Sequence, residues 1–173
     1  AANSVPADVR YEGRVRGNTE EAVSDASAKV DRCLRAGALA MGAKARIVTI
    51  PGYLPMKNDE ALQDMFVHNA AHLVGWSNVR SHPPRRNRGG STDMGDVSQI
   101  MPAIHPYTSA ATGSGHSPTY LVDDYEQGVI NPAKAMAMTV IDLLIEGGAK
   151  ANELLVKSSS KMTKAQYLKL QAD

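Results

Sequence analysis

The chain has 173 residues, of which 43% are hydrophobic and 21% are charged, and its formal net charge is +1. This composition excludes an intrinsically disordered chain and predicts a soluble globular protein that is long enough to bury a sizeable core. The nearly balanced charge gives no electrostatic basis for binding nucleic acid or an anionic membrane, so neither is an expected partner.

The sequence shows no targeting feature. No apolar run approaches the length of a membrane span, and Ala1 to Pro6 lack the basic start and apolar core of a signal peptide. The single cysteine, Cys33, excludes an internal disulfide and a cysteine-built zinc cluster. A cytoplasmic location is therefore the expectation.

The first fifty residues predict a strand, a helix and a second strand. Apolar and charged residues alternate from Val9 to Arg16, which is the period of a half-buried strand. An amphipathic helix is predicted from Asn18, as a capping residue, to Gly42. Lys44–Ile50 is rich in β-branched residues and predicts a strand. The proline at Pro51 then marks a boundary.

The rest of the chain alternates between predicted helices and short strands. The expected elements are a helix over Asp59–Val74, short strands near Val97–Ile104 and Tyr120–Val122, a helix that starts at Asn131 and Pro132 and stops at Gly147 and Gly148, and a polar tail or short surface helix from Ser158. The sequence thus predicts an α/β fold class.

Two motifs resemble functional sites but favour simpler interpretations. His68 and His72 have the spacing of a zinc-binding protease helix, yet Asn69 stands where that motif has its glutamate. They are interpreted as surface or packing histidines. Three arginines in the proline-rich segment 81–90 are interpreted as a solvated loop.

Two glycine-rich segments leave a functional interpretation open. In the segment from Gly89 to Asp96, backbone N–H groups could meet an anion, or the two carboxylates could order the loop through local hydrogen bonds. His116 lies between Gly115 and Ser117, where a loop imidazole could bind a metal while the site stays open to substrate. A lone loop histidine is more often an ordinary residue.

The order of these segments resembles the carboxy-terminal part of a known enzyme family, the two-zinc aminoacylase and carboxypeptidase G group of metallopeptidases. The most similar branch contains the aminobenzoyl-glutamate hydrolases and β-alanyl dipeptidase-like amidohydrolases. The matching segments are Asn3-Ser4-Val5-Pro6, the strand that ends at Arg16, Gly90 to Ser98, Ile104-His105-Pro106-Tyr107, Gly115-His116-Ser117 and the helix after Pro132. The resemblance extends from Asn3 to about Gly147.

This resemblance implies an architecture and a set of residue roles. Residues 1–50 would be the second half of an α+β lid and dimerisation domain, 51–157 the returning part of a zinc-peptidase-like α/β catalytic domain, and 158–173 a polar tail. His116 would be a ligand of one of two zinc ions, with manganese or cobalt as alternatives. The residues implied to contact substrate are Asn3, Arg16, Gly90, Ser91, Asp93 and His105.

The implied activity is hydrolysis of an amide or peptide bond in a small N-acyl amino acid or dipeptide. The family's other metal ligands and its general base are expected upstream of Asn3, so the chain alone is predicted to be inactive. A homodimer formed through the lid is the expected assembly. Two alternatives remain: a non-catalytic fragment that dimerises, and a separate chain that supplies the other ligands.

Overall fold

A computed structural model of the chain describes residue 3 and residues 5–81, 91–158 and 162–172. The chain divides into two compact units, Ala1–Ile50 and Pro51–Asp173. The described part of the first unit contains one helix and otherwise no regular structure, whereas the second is mainly helical and also contains a small antiparallel sheet. The chain is therefore a mixed helix-and-sheet fragment, compatible with the predicted fold class.

The first unit is built on one long helix, α1 (Glu20–Ala40). The Thr19 side chain caps it by accepting a hydrogen bond from the N–H of Ala22 at 3.1 Å. The helix is confirmed, but the predicted cap at Asn18 is one residue too early. None of the residues of α1 is buried, so its apolar side chains gain little from packing inside this unit.

The two strands predicted in the first unit are wrong. The described residues of Val9–Arg16 and Lys44–Ile50 form no strand. The side chains of Val9 and Tyr11 are 74% and 75% exposed, so no face of the segment is buried. Because a strand needs backbone partners on a neighbouring segment, the alternating pattern alone does not produce one.

The second unit contains four helices, a short hairpin and two helical turns within its described residues. In chain order these are α2 (Glu60–Val74), a 3₁₀ turn (Trp76–Asn78), α3 (Met94–Ile100), β1 (Ala111–Thr112), β2 (Leu121–Val122), a π-helical turn (Glu126–Ile130), α4 (Asn131–Lys157) and α5 (Lys164–Ala172). The predicted helix over Asp59–Val74 is confirmed, with Asp59 as its cap. The strand near Tyr120–Val122 is confirmed as β2.

The strand predicted near Val97–Ile104 is wrong, because the first half of the segment belongs to α3 and the second half forms no strand. Gly95, Ser98 and Gln99 are all buried, and their spacing of three and four residues places them on one face of a helix. This face is polar, so a search for apolar periodicity does not find it.

Helix α4 changes direction where the two glycines predict its end. Ile145, Glu146, Gly147 and Gly148 all have non-helical backbone angles, and the last three have positive φ. The predicted cap at Asn131 is wrong, because the π-helical turn continues directly into α4. Pro132 does stand in the first turn.

The helical stretch Glu126–Lys157 is long and apolar enough to cross a membrane by length and composition alone. This corrects the prediction that no segment approaches that length. Only 11% of its most apolar window is buried, so burial does not mark this stretch as a core helix. The non-helical residues 145–148 interrupt the backbone hydrogen bonds that a bilayer requires.

Helices α2 and α4 pack on each other through a buried polar contact. The Asn69 side chain is 8% exposed and donates hydrogen bonds to Asp142 Oδ2 at 2.8 Å and Thr139 Oγ1 at 3.2 Å. Small residues complete the core: Ala71, Ala103, Ala110 and Ala135. Hydrogen bonds between specific partners fix the register of these two helices more strongly than interchangeable apolar contacts would.

Candidate functional site

The predicted site residues are distributed over both units. Asn3 and Arg16 lie in the first unit, and both are exposed. Gly90 lies outside the described residues. Ser91, Asp93, His105 and His116 belong to the second unit. Most of the predicted site residues whose positions are described therefore lie in the second unit.

Ser91 and Asp93 form the turn that leads into α3. Both are exposed, and Thr92 Oγ1 donates to Asp93 Oδ1 at 3.2 Å. The N–H of Met94 donates to Thr92 Oγ1, and the N–H groups of Gly95 and Asp96 donate to the carbonyl oxygens of Thr92 and Asp93. These three N–H groups already have partners within the turn, as expected of a loop ordered by its own polar groups.

Helix α3 is held against the segment 54–57, which leads towards α2. Asp96 Oδ1 accepts from the N–H of Leu54 at 2.8 Å, and Ser98 Oγ accepts from the N–H of Lys57 at 3.0 Å. Gln99 Nε2 donates to the Pro55 carbonyl at 2.6 Å. The backbone of segment 54–57 thus forms hydrogen bonds with three buried or half-buried side chains of α3, where a β-strand would bond the backbone of a neighbouring strand. These bonds also fix the position of the turn at Ser91–Asp93.

His105 is attached to the same segment one step further along the chain. Its backbone N–H donates to Asn58 Oδ1 at 3.1 Å, and the N–H of Asp59 donates to the Ala103 carbonyl. The imidazole stacks edge-on against Tyr107, with ring centroids 4.9 Å apart. Its Nδ1 is buried and has no hydrogen-bond partner among the residues described. A buried polar atom in that state costs about 1–3 kcal/mol, which a polar ligand or a further chain segment would recover.

His116 lies in the loop 113–120 that joins β1 to β2. The strands pair antiparallel, with Ala111 opposite Val122. Within the loop, the N–H groups of Ser117 and Tyr120 donate to the carbonyls of Ser114 and Ser117. A side chain at Gly113, where φ is +79°, would overlap the Thr119 carbonyl oxygen, so this position requires glycine.

The backbone of His116 itself is in the left-handed region, with φ of +61°, and the residue is exposed. A residue with a Cβ adopts this conformation at a cost of about 1–2 kcal/mol. Such strain persists where the surrounding structure imposes it, and it is concentrated at functional sites. The loop therefore presents an imidazole to solvent from an ordered but strained position.

The described residues do not form a zinc site of the expected kind. Among them, no group of three or more histidine, cysteine, aspartate or glutamate side chains is placed to hold a metal ion. Catalytic zinc needs about three protein ligands, and His116 would supply one. A zinc ion therefore fits these residues alone poorly.

The carboxy-terminal helix α5 is docked on α3. The N–H of Met162 donates to the Gln99 carbonyl at 2.8 Å, and the half-buried Tyr167 hydroxyl donates to the Asp96 carboxylate. Burial raises the pKa of Tyr167, and the nearby negative charge of Asp96 and the hydrogen bond to it raise this pKa further. The tail therefore contacts the same aspartate that holds Leu54.

Tyr167→Phe is expected to remove the last tyrosine to ionise in an alkaline titration. The Tyr167 pKa is raised in the fold, so its contribution to docking is complete below the ordinary value near 10 and is lost as pH rises through the folded value. Tyrosinate absorbance measures this as a late phase of about one-sixth of the signal, since the chain has 6 tyrosines. The exposed-residue control Tyr53→Phe should keep the late phase, and a late phase that persists in Tyr167→Phe would contradict the assignment.

Two curated proteins resemble the chain in sequence. It is 30% identical to the Xaa-Arg dipeptidase of Mus musculus and 29% identical to the Xaa-Arg dipeptidase of Homo sapiens, in each case over 124 residues. These matches support a relationship to peptidases and amidohydrolases. The aligned part covers 68% of this chain but only 28% of each relative. No protein-family profile matches the chain, and no solved structure matches it.

The residues that build the framework were largely missed by sequence reasoning. In the sequence, Asp96 and Ser98 stand out only as members of a glycine-rich motif, and no pattern distinguishes Gln99 or Tyr167. Their partners lie more than forty positions away in the sequence. The one sequence feature that could indicate this framework is the cluster of short polar side chains after a pair of glycines. Such a cluster predicts a locally ordered loop, but it does not predict which distant segment the loop will bind.

Proposed function

We propose that this chain is the carboxy-terminal region of a zinc-dependent hydrolase that cleaves the amide or peptide bond of a dipeptide or a small N-acyl amino acid. The observation that carries the proposal is the 124-residue match to two Xaa-Arg dipeptidases. The names of these relatives favour a dipeptide with a carboxy-terminal arginine as the first substrate to test. A cytoplasmic location is part of the same proposal.

The framework of the second unit supports a substrate-positioning role. Ser91 and Asp93 are exposed at the start of α3, and this helix is fixed by Asp96, Ser98 and Gln99. Rigid support for exposed polar groups is what an enzyme needs to orient a small substrate. An exposed carboxylate at Asp93 could pair with a guanidinium group, whose fork geometry favours a carboxylate partner.

His105 and His116 are the imidazoles proposed for the site. The buried Nδ1 of His105 needs a polar partner, and the exposed ring of His116 is held on a strained backbone. We propose that His116 is one zinc ligand and that the other ligands and the general base come from polypeptide beyond these residues. By the same proposal Asn3, Arg16 and Gly90 contact the substrate.

The test uses the full-length polypeptide that carries this sequence. Release of the carboxy-terminal amino acid is measured for Xaa-Arg dipeptides and N-acyl amino acids, before and after chelator treatment and after addition of zinc, manganese or cobalt. Hydrolysis that a chelator abolishes and zinc restores is expected, while the 173 residues alone should give no activity above background. A metal-loaded full-length protein that cleaves none of these substrates would refute the proposal.

One observation favours the second candidate, a non-catalytic fragment that dimerises. In α1 the apolar residues Val30 and Leu34 lie one turn apart on one face of the helix and are 39% and 37% exposed, so a second copy could cover this face. Light scattering on the same preparations separates the candidates. An inactive full-length protein that runs as a dimer would support the second candidate, and an active one supports the hydrolase.

A further inference from the structure

Helix α2 presents two exposed histidines one turn apart. His68 and His72 are four residues apart, a spacing that places their Cβ atoms about 5–6 Å apart on one face of a helix. Both residues are exposed. Asn69, between them in sequence, points instead into the contact with α4, where it bonds Thr139 and Asp142.

The hydrogen bonds of the two rings define which nitrogen carries the proton. His68 Nδ1 lies 3.0 Å from the carbonyl oxygen of Asp64, and His72 Nδ1 lies 2.9 Å from the carbonyl oxygen of His68. A carbonyl oxygen only accepts, so Nδ1 must be the donor in each ring. In the neutral imidazole, Nε2 therefore holds the lone pair.

This arrangement is the one that metal-binding histidines use. A ligating histidine nearly always donates its other ring N–H to a carboxylate or a backbone carbonyl, which fixes the tautomer and the orientation of the ring. Here both rings make the same bond to the carbonyl four residues earlier, so both rings extend from the helix in the same way. Nε2 is therefore the nitrogen left to bind a metal in each ring, and both residues are exposed.

We propose that His68 and His72 form a two-imidazole chelating site for a late first-row divalent transition metal on α2. The site is separate from the candidate hydrolase site and does not depend on that proposal. Imidazole suits copper, nickel and zinc, and affinity for a given site follows the order copper(II) over nickel(II) and zinc(II). Because the protein supplies only two ligands, water occupies the other coordination positions. The bound metal would link two successive turns near the end of α2, which is a structural role and not a catalytic one.

The neighbouring indole provides a direct probe of metal binding. Trp76 is the only tryptophan in the chain, and its ring centroid lies 5.1 Å from that of His68 in an edge-on arrangement. Copper(II) bound at this distance quenches indole fluorescence. The experiment titrates the untagged chain with copper(II) chloride and follows Trp76 emission, then repeats the titration with nickel(II), zinc(II) and magnesium.

The expected result is saturable 1:1 quenching by copper(II) that a chelator reverses, with weaker binding of nickel(II) and none of magnesium. His72→Ala leaves the pair of His68 and Trp76 in place but removes one ligand, so the apparent Kd should rise at least about tenfold.

Glu153→Gln is the matched control, because it removes an exposed carboxylate from another element, α4, and should leave the copper affinity unchanged. Circular dichroism checks that α2 is intact in His72→Ala, which is expected because alanine favours helix more than histidine does. Linear quenching without saturation, equal affinity in His72→Ala and the original chain, or loss of binding in Glu153→Gln would each overturn the proposal. Because no peptidase assay is involved, failure of the hydrolase proposal would not affect this result.

Discussion

His116→Asn is expected to lower the kcat/KM of the full-length polypeptide towards Xaa-Arg dipeptides by at least about 100-fold while the fold is retained. Loss of a group that only supports a metal ligand already costs about 10–100-fold, so loss of the ligand itself should cost more. Asparagine is chosen because it tolerates the left-handed backbone that His116 adopts at φ +61°. Steady-state kinetics and thermal unfolding of the same samples measure both parts of the expectation.

The choice of substitution separates chemistry from backbone strain. His116→Gly should lose activity equally and relieve the strain, whereas His116→Ala keeps a Cβ in the left-handed region and stays strained. Glu153→Gln serves as the control, because it removes only the exposed ion pair with Lys157 near the end of α4 and should leave kcat/KM unchanged. Retention of activity in His116→Asn would exclude a ligand role for this residue.

The sequence predicted helices well where the apolar period was clear. The predicted bounds of α2 agree with the structure to one residue, because Asp59 is a strong cap and the apolar stripe ends before Gly75. The positive φ values at Gly147 and Gly148 likewise appear where the sequence placed the end of a helix. Local signals of this kind need no knowledge of the rest of the fold.

Strands and the site framework were predicted poorly for a common physical reason. The alternation from Val9 to Arg16 describes a segment that could pair, but pairing depends on a partner that local sequence does not specify. The segment 54–57 is the opposite case, because it has bonding partners although its sequence does not predict a strand. Its backbone forms hydrogen bonds with the side chains of Asp96, Ser98 and Gln99, and an alternating sequence pattern cannot reveal such partners. Contacts between distant residues decide both outcomes.

The site residues implied by the family resemblance lie on different parts of the second unit. His105 and the turn at Ser91–Asp93 are fastened to neighbouring parts of the segment 54–59. His116 is presented by a different element, the hairpin loop between β1 and β2. The order of the matching segments therefore predicted a relationship to peptidases and amidohydrolases, which the dipeptidase matches support. It did not predict which of the site residues lie close together in the fold.

Gly95→Ala is expected to destabilise the second unit strongly, by about 3 kcal/mol or more, because a Cβ at this position would overlap the carbonyl oxygen of Leu54. The overlap involves backbone on both sides, so no flexible side chain can move away from it. Helix α3 would have to separate from the segment 54–57, which would also lengthen the hydrogen bond from Leu54 N–H to Asp96. Urea unfolding followed by circular dichroism measures the loss.

Gly52→Ala is the matched control, since a Cβ there would meet no atom within 4 Å and the change in unfolding free energy should be within about 0.5 kcal/mol. If Gly95→Ala were as stable as this control, α3 could not be packed on the segment 54–57 as described. Because the turn Ser91–Asp93 leads directly into this helix, that outcome would also remove the rigid support on which their proposed contact with substrate depends. A stability measurement on one glycine thus tests the framework of the site without any assay of hydrolysis.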